Sequence, residues 1–529
     1  MENIALIVML LFGITFLGVL SNKYRFPFPI ILVLCGVVIS MVPGLPVISL
    51  EPDIVFLIFL PPLLYGAAWN TSWHDFKANI RPISLAAIGL VLFTMVLVAA
   101  VAHAIIPGMT WPLGLLLGAI VSPPDAVAAT SVTKGLGLEP KINSILEGES
   151  LVNDASGLIA YKYAIAAVTL GNFVFWEASL NFLIVVAGGI AIGLAIGAIM
   201  YFVHKKFICD AVIEVTLTFL TPFASYLLAE HFHVSGVLAV VSSGLFLSYN
   251  SAVIFTHESR IKSYAVWDVV IFILNGLIFV LIGLQLRSIM QGIEAYTKTE
   301  LILYSAVISL VVIVVRFIWV VPAAYLPRIL SKRIRRTESL NPKNLVIFSW
   351  AGMRGVVSMA AALALSLDFP QRNLIIYLTF CVILSTLVLL GSTLPWIIRK
   401  LKLPVYTIAL EEYEVRTQVV SNTITHIEEN LAQLNDELLN NIKSKYEIKY
   451  NRLQKTDLPA NYFGQADGQS QPVNIFNQFS QLQIDLISVE RQTLGQLHRQ
   501  GKASEEVIRK IERELDLEET RLKMEMYSG

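Results

Sequence analysis

The sequence predicts an all-α, polytopic membrane protein of about 13 transmembrane helices with a helical cytoplasmic tail. Three observations carry this. Hydrophobic residues make up 55% of the 529-residue chain and charged ones only 15%, with a mean hydropathy of +0.67, beyond the range of soluble domains of this size. Apolar runs of about twenty residues, the length that crosses a bilayer core, recur along the first 400 residues. With loops assigned alternately to the two sides, Lys and Arg divide nineteen to three, the three being Arg287, Lys298 and Arg372. That bias sets the chain in a cell (inner) membrane with its N-terminus outside and its C-terminus in the cytoplasm. Acidic and basic residues balance at 39 each, so overall charge points to no nucleic-acid partner.

The runs centre near residues 13, 37, 61, 95, 122, 156, 191, 220, 241, 276, 313, 355 and 385. The first begins almost at Met1, with Glu2 and no basic flank or small-residue cleavage site, and reads as a retained helix rather than a signal peptide. The fifth, "GAIVSPPDAVAATS", should break at Pro123-Pro124, because proline lacks the N–H that continues a helix. The twelfth, "SWAGMRGVVSMAAALALS", has Gly352 and Gly355 around Arg354. Domain organisation follows composition: residues 1–403 form the membrane domain and 404–529 a charged, helical C-terminal domain. In the tail, Ile424, Ile427, Leu431, Leu434 and Leu438 keep helical spacing, as do Phe479, Leu482 and Leu486, and then Ile508, Ile511, Leu515 and Leu522. The Pro- and Gly-containing "TDLPANYFGQADGQSQPVN" reads as a linker between them. Cys35, Cys209 and Cys381 match no disulfide or metal spacing and read as packing residues.

A charge at mid-membrane costs about 2.5–3.5 kcal/mol on insertion scales, so the deep charges single out the working site. If the sixth span starts near Asn143, a rise of 1.5 Å per residue puts Asp154 about 16 Å in, near the bilayer centre, and Arg354 of the twelfth span at a similar depth. At 100° per residue Ser150 and Asp154 share a face, as do Glu149 and Asn153, while Glu149 and Asp154 point about 140° apart. The simplest assignment pairs Glu149 with Arg354 and leaves Asp154 without a permanent partner. Desolvation favours the neutral form of such a carboxyl group, so a proton can compete there with a bound cation. Spans one to six and eight to thirteen are offset by seven, which makes the second six-helix repeat inverted and the broken fifth and twelfth spans equivalent. Interrupted helices in matching positions are a pointer to a transporter's binding site.

Taken together, "SPPDAVAAT", "GESLVNDASGLIAY" and "SWAGMRGVVS" resemble the monovalent cation:proton antiporter-1 family, in particular its bacterial sodium/proton antiporters, over most of the first 400 residues. "LIFLPPLLYGAAW" is similar to the family's Leu-Pro-Pro segment. The resemblance implies that Asp154 alternately takes a cation or a proton, that Ser150 lends an oxygen, and that Asn153 stands where electrogenic relatives carry a second aspartate. It implies that Asp125 lies at the crossing of the unwound helices as a further ligand of the transported sodium or a support for the site, and that Glu149 and Arg354 form a stabilising pair. One sodium against one proton moves no net charge, so electroneutral exchange serving pH and sodium homeostasis is expected. A homodimer is implied, with no cofactor; the other partners are sodium ions, protons and the lipid bilayer. Two departures stand out: Pro124 precedes the fifth-span aspartate where relatives often have a polar residue, and Gly66 occupies a position that is acidic in many.

Other deep or clustered polar residues weigh less. Lys162 falls about 12 Å beyond Asp154 and should snorkel to the outer surface. Arg316 sits inside the eleventh span and needs an acid or a helix C-terminus, and His231 to His233 falls in a short outer loop. A potassium/proton antiporter is the nearest alternative function. A cation channel would need a filter motif that the chain lacks, and an intramembrane aspartyl hydrolase built on Asp125 and Asp154 would leave the Glu149/Arg354 pair surplus.

Overall fold

In a computed structural model, the structure describes residues 2–24, 26–42, 55–133, 136, 138–170, 175–207, 210–291, 293, 296–330, 341–402, 408–430, 443–447, 449–450 and 473–528. Among these residues the regular structure is all helical. Two helices, α1 (Glu2–Tyr24) and α2 (Phe28–Ser40), lead to α3 (Leu60–Asn70), which continues a π turn at Val55–Phe59, and to the short α4 (Trp73–Ala78). Then come α5 (Ile80–Ile105), with a π turn at Leu85–Leu90, α6 (Trp111–Val121), α7 (Ala126–Thr133) and α8 (Pro140–Leu170). The series continues with α9 (Phe175–Phe207), α10 (Ala211–His231), α11 (Gly236–Tyr249), α12 (His257–Gln291) and α13 (Lys298–Leu330). A pair of short helices, α14 (Pro342–Trp350) and α15 (Val356–Leu363), precedes α16 (Arg372–Leu401); α17 (Ile408–Asn430), α18 (Val473–Arg499) and α19 (Glu505–Ser528) complete the chain.

By length and composition, seven of the described helical segments can cross a membrane, and four shorter apolar helices accompany them. Helix α8 has 31 residues and is long enough too, but Glu149, Asn153, Asp154 and Lys162 make it more polar than its neighbours. Large apolar side chains such as Phe12, Phe16, Leu183, Phe202, Ile318 and Ile329 are exposed, a surface that only a bilayer would cover.

The chain divides into two compact units. The first comprises Met1–Cys209, Ile213–Ile254 and Ala265–Val405. With lipid as solvent, helices associate through close packing rather than through the hydrophobic effect, and small residues at their contacts permit it. On α9, Gly189, Gly193 and Gly197 recur every four residues and lie on α11, where a Cβ at Gly189 would stand 2.6 Å from the Ser235 carbonyl. Gly114 and Gly118 of α6 lie in the same way on Ala99 and Met95 of α5. The second unit comprises Asp210–Val212, Phe255–Tyr264 and Tyr406–Gly529. Its core is the apolar stripe of α17, α18 and α19: Val415, Val419, Ile487, Leu494, Ile508, Ile511, Leu515 and Leu522 are buried together. Arg260, at the start of α12, belongs to this unit and holds Asp516, which Arg491 contacts at 2.7 Å. Leu431, Leu434, Leu438, Cys209 and nearly all of the linker expected between the tail helices lie outside the described residues.

Candidate functional site

Two helices stop in the first unit, and the site forms where they do. Pro123 and Pro124 end the helical run after Val121, and α7 starts only at Ala126. In the second case α14 ends at Trp350, and α15 resumes at Val356 after a stretch that holds Gly352 and Gly355. The two breaks meet. The Asp125 N–H donates to the Met353 carbonyl at 2.7 Å, and Arg354 Nε donates to the Val121 carbonyl at 2.8 Å. Each break thus satisfies backbone groups that the other leaves without a helical partner, as a non-aqueous interior requires. Gly355 has to be glycine because a Cβ there would overlap the Asp125 carboxylate.

The four helix ends at this crossing are matched in charge. Asp125 accepts from the N–H groups of Val127 (2.8 Å) and Ala128 (3.3 Å) at the start of α7, and from that of Val356 at the start of α15. Arg354 donates to Val121, at the end of α6, and to the Gly352 carbonyl (2.5 Å), just past α14. An acid at the positive helix ends and a base at the negative ones is the arrangement that helix dipoles favour.

The expected Glu149–Arg354 ion pair is not what forms. Glu149 instead takes a bidentate pair from Arg316 of α13, Oε1 to Nη1 at 2.8 Å and Oε2 to Nη2 at 2.7 Å, and all of these side chains are buried. Arg316 also donates from Nε to the Phe348 carbonyl (3.1 Å) and lies 4.8 Å over the Phe348 ring. The physical reason is the unwound backbone: its free carbonyls take Nε and Nη1 of Arg354, and the carboxylate falls to the other buried guanidinium.

Helix α8 is fastened to the first break by Ser150, whose Oγ accepts from the Ala126 N–H at 3.2 Å, and by Asn153, whose Nδ2 donates to the Pro124 carbonyl at 3.2 Å. Ser156 donates to the Ala87 carbonyl inside the π turn of α5 (2.5 Å). Asp154 differs from every other deep charge. It makes no hydrogen bond or ion pair with a described residue, although it is only 8% exposed. With Asp125, Ser150, Asn275 and Ser358 it lines a cavity of about 60 Å³, enough for a small cation and a water or so, given about 30 Å³ per water in the liquid. Ser358 Oγ is buried there without a hydrogen-bond partner among the described residues, as is Asn153 Oδ1 elsewhere on α8.

The transmembrane model of the sodium/hydrogen exchangers matches residues 6–400. The chain belongs to that family. An uncharacterised Na(+)/H(+) exchanger of Mycobacterium bovis is 30% identical over 98% of this chain and 96% of its own length. The sodium, potassium, lithium and rubidium/H(+) antiporter of Bacillus pumilus is 31% identical over 81% of this chain and 66% of its own length. The solved sodium proton antiporter MjNhaP1 of Methanocaldococcus jannaschii shares the fold, with a TM-score of 0.60 and 20% identity over 76% of this chain and 99% of that one. The exchanger is accordingly a multi-pass membrane transporter and not an enzyme.

Of the residues singled out by sequence, Asp125, Ser150, Asn153, Asp154, Pro123, Pro124, Gly352, Gly355 and Arg354 come together at the crossing. Glu149 stands beside it with the unforeseen partner Arg316. Lys162 forms an exposed ion pair with Glu230 at 3.3 Å and takes no part. Ser156, Asn275 and Ser358 escaped the sequence reading. For Ser358 a signal existed: it is the only polar side chain in "VVSMAAAL", the half-helix after the second break.

Proposed function

We propose that this exchanger moves sodium out against protons in, one for one, with both ions competing for the Asp154 carboxylate under alternating access. The observation that carries the reading is the contrast in partners. Glu149 and Arg316 neutralise each other, Asp125 and Arg354 are held by backbone groups, and Asp154 alone faces a cavity with its acceptor capacity free. A carboxylate in that position needs either a proton or a cation, which is the requirement for obligatory exchange. Asp125, Ser150 and Ser358 supply further oxygens, the hard ligands that an alkali cation prefers. One site carboxylate swapping one charge for one charge makes the cycle electroneutral. The charge bias of the loops orients the chain with its N-terminus outside and its tail in the cytoplasm.

Potassium is the second reading. The Bacillus pumilus relative is named for four alkali cations, and the wall that α3 contributes to the cavity is apolar, with Leu60, Leu63, Leu64 and Ala67. Gly66 faces Ile271 and Trp267 instead, so no third acid is available from this segment to tighten selectivity. The test is cation-driven pH change in proteoliposomes, comparing wild type with Asp154→Asn across sodium, lithium and potassium. Exchange should vanish in the variant while the protein still inserts and folds, and full activity in its presence would refute the shared-site mechanism.

A further inference from the structure

A second cavity, of about 670 Å³, opens between α5, α8, α13 and α14, away from the ion site. Three of the segments, α5, α8 and α14, change character along it in the same sense, while α13 lines it with Trp319, Val320, Ala323, Ala324 and Pro327. At one end stand Asn79, Arg81, Glu139, Lys141, Asn341 and Asn344. Four residues beyond Arg81, Lys141 and Asn344, or about 6 Å at 1.5 Å per residue, the lining is Leu85, Ile145 and Phe348, and Trp319 of α13 reaches the same level, beside Leu85. A slot that is cationic and amide-rich at its mouth and apolar below it has the chemistry of one amphipath. Arg81 and Lys141 are exposed and form no ion pair among the described residues. Among the described lining residues the carboxylate at the mouth is Glu139, which already accepts from Asn344 Nδ2 at 2.8 Å. Both cations lie at helix starts on the Lys/Arg-rich side of the chain, the side on which anionic lipids would meet them.

We propose that this cavity binds an anionic phospholipid, its phosphate between Arg81 and Lys141 and one acyl chain along Leu85, Ile145, Trp319 and Phe348. A zwitterionic lipid fits the apolar part equally well but gains less at the mouth. Each basic group near a membrane surface contributes about fivefold to the association of an anionic lipid, so the two together give a preference of about thirtyfold. The site bears on exchange through its floor: Phe348 is the ring over which Arg316 lies and the carbonyl that receives its Nε, and Arg316 holds Glu149 next to Ser150. This inference is independent of how Asp154 works, and so is its readout.

Trp319 lines the cavity and donates to the Leu85 carbonyl at 3.0 Å, so its fluorescence reports the occupant. The full-length protein is reconstituted in phosphatidylcholine vesicles carrying either brominated phosphatidylglycerol or brominated phosphatidylcholine at equal mole fraction. Brominated phosphatidylglycerol should quench in excess, the excess should disappear in Trp319→Phe, and Arg81→Gln/Lys141→Gln should bring the two lipids level. Equal quenching of wild type by both lipids would overturn the proposal, as would an excess that survives in either variant. If Trp319→Phe fails to fold, the comparison between wild type and the double charge variant decides. Brominated oleate is the third arm, and its competing away the phosphatidylglycerol excess would make a free fatty acid the occupant and end the proposal.

Discussion

The membrane unit and the tail unit handle charge in opposite ways. In the tail, charged groups have several partners at once: Arg416 reaches Glu412 at 2.8 Å and Glu514 at 2.7 Å, and Glu412 also takes Lys510 at 2.8 Å. Arg491 likewise bridges Asp516 and Glu519. Among the described residues of the membrane unit, no deep acid or base shares its charged partner with another. Arg316 serves Glu149, Arg354 serves the carbonyls at two helix ends, Asp125 gathers the N–H groups at the other two, and Asp154 is left for transport. Water makes the difference. Where solvent can replace a lost partner, redundancy is tolerable and each pair contributes little; where it cannot, an orphaned charge is costly, and an acid left without a partner, as Asp154 is, must take a proton or a cation.

The largest break of that contrast is Arg316→Met. It strands Glu149 in a buried position, and removing one partner of a buried pair costs about 3–5 kcal/mol. We expect a correspondingly large loss of thermal stability in detergent and low yield of folded protein. Combining it with Glu149→Met should recover most of the loss, because an apolar pair leaves nothing unpaired. Failure of the double variant to recover would show that the pair has a task beyond neutrality. Gly355→Ala should come next. Its Cβ would overlap the Asp125 carboxylate and force the crossing apart, at about 1–3 kcal/mol for overpacking, and exchange should fall further than stability does because the cavity itself is deformed. The measurement is exchange rate against melting temperature for the same preparation, and the prediction fails if the two fall together.

How much of this was legible in the sequence follows the same division. The broken helices could be read because proline and glycine act locally, and Asp154 stood out because a charge in an apolar run is conspicuous wherever it points. Depth and angular arithmetic put Ser150, Asn153 and Asp154 near the middle of one helix, and that helix does meet the first break through Ser150 and Asn153. The partner of Glu149 was not readable in this way. Depth along a helix ranks Arg316 and Arg354 alike, and only the lateral placement of α13 against α8 chooses between them. A chemical signal was nevertheless present: an arginine inside an unwound segment has bare carbonyls within reach, whereas one in an unbroken helix, such as Arg316, must find a side chain. Ser156 illustrates the residue type that escapes altogether, since its partner is the backbone of a π turn 69 residues away and no pattern in sequence announces it.

The smallest expected effect lies in the tail and tests redundancy from the other side. Burial on its own would raise the Glu505 carboxyl, but the hydrogen bond with His498 and the charge of Arg509 outweigh it and hold the group at about 2. Since the unfolded value is about 4.3, this carboxylate favours the folded tail fully above that pH, and the contribution fades as pH falls from there through about 2. Its side chain is a quarter exposed and its pairs are solvent-screened, so the contribution should be about 1 kcal/mol or less. Amide hydrogen exchange over residues 473–528 of the full chain should therefore accelerate modestly on acidification through that window. Glu505→Gln should weaken the pH dependence, leaving the part that Glu519 and Glu412 carry, while slowing nothing in the membrane unit. An effect of the size expected for Arg316→Met would mean that this tail pair is as indispensable as the membrane one, and the contrast between the two units would not hold.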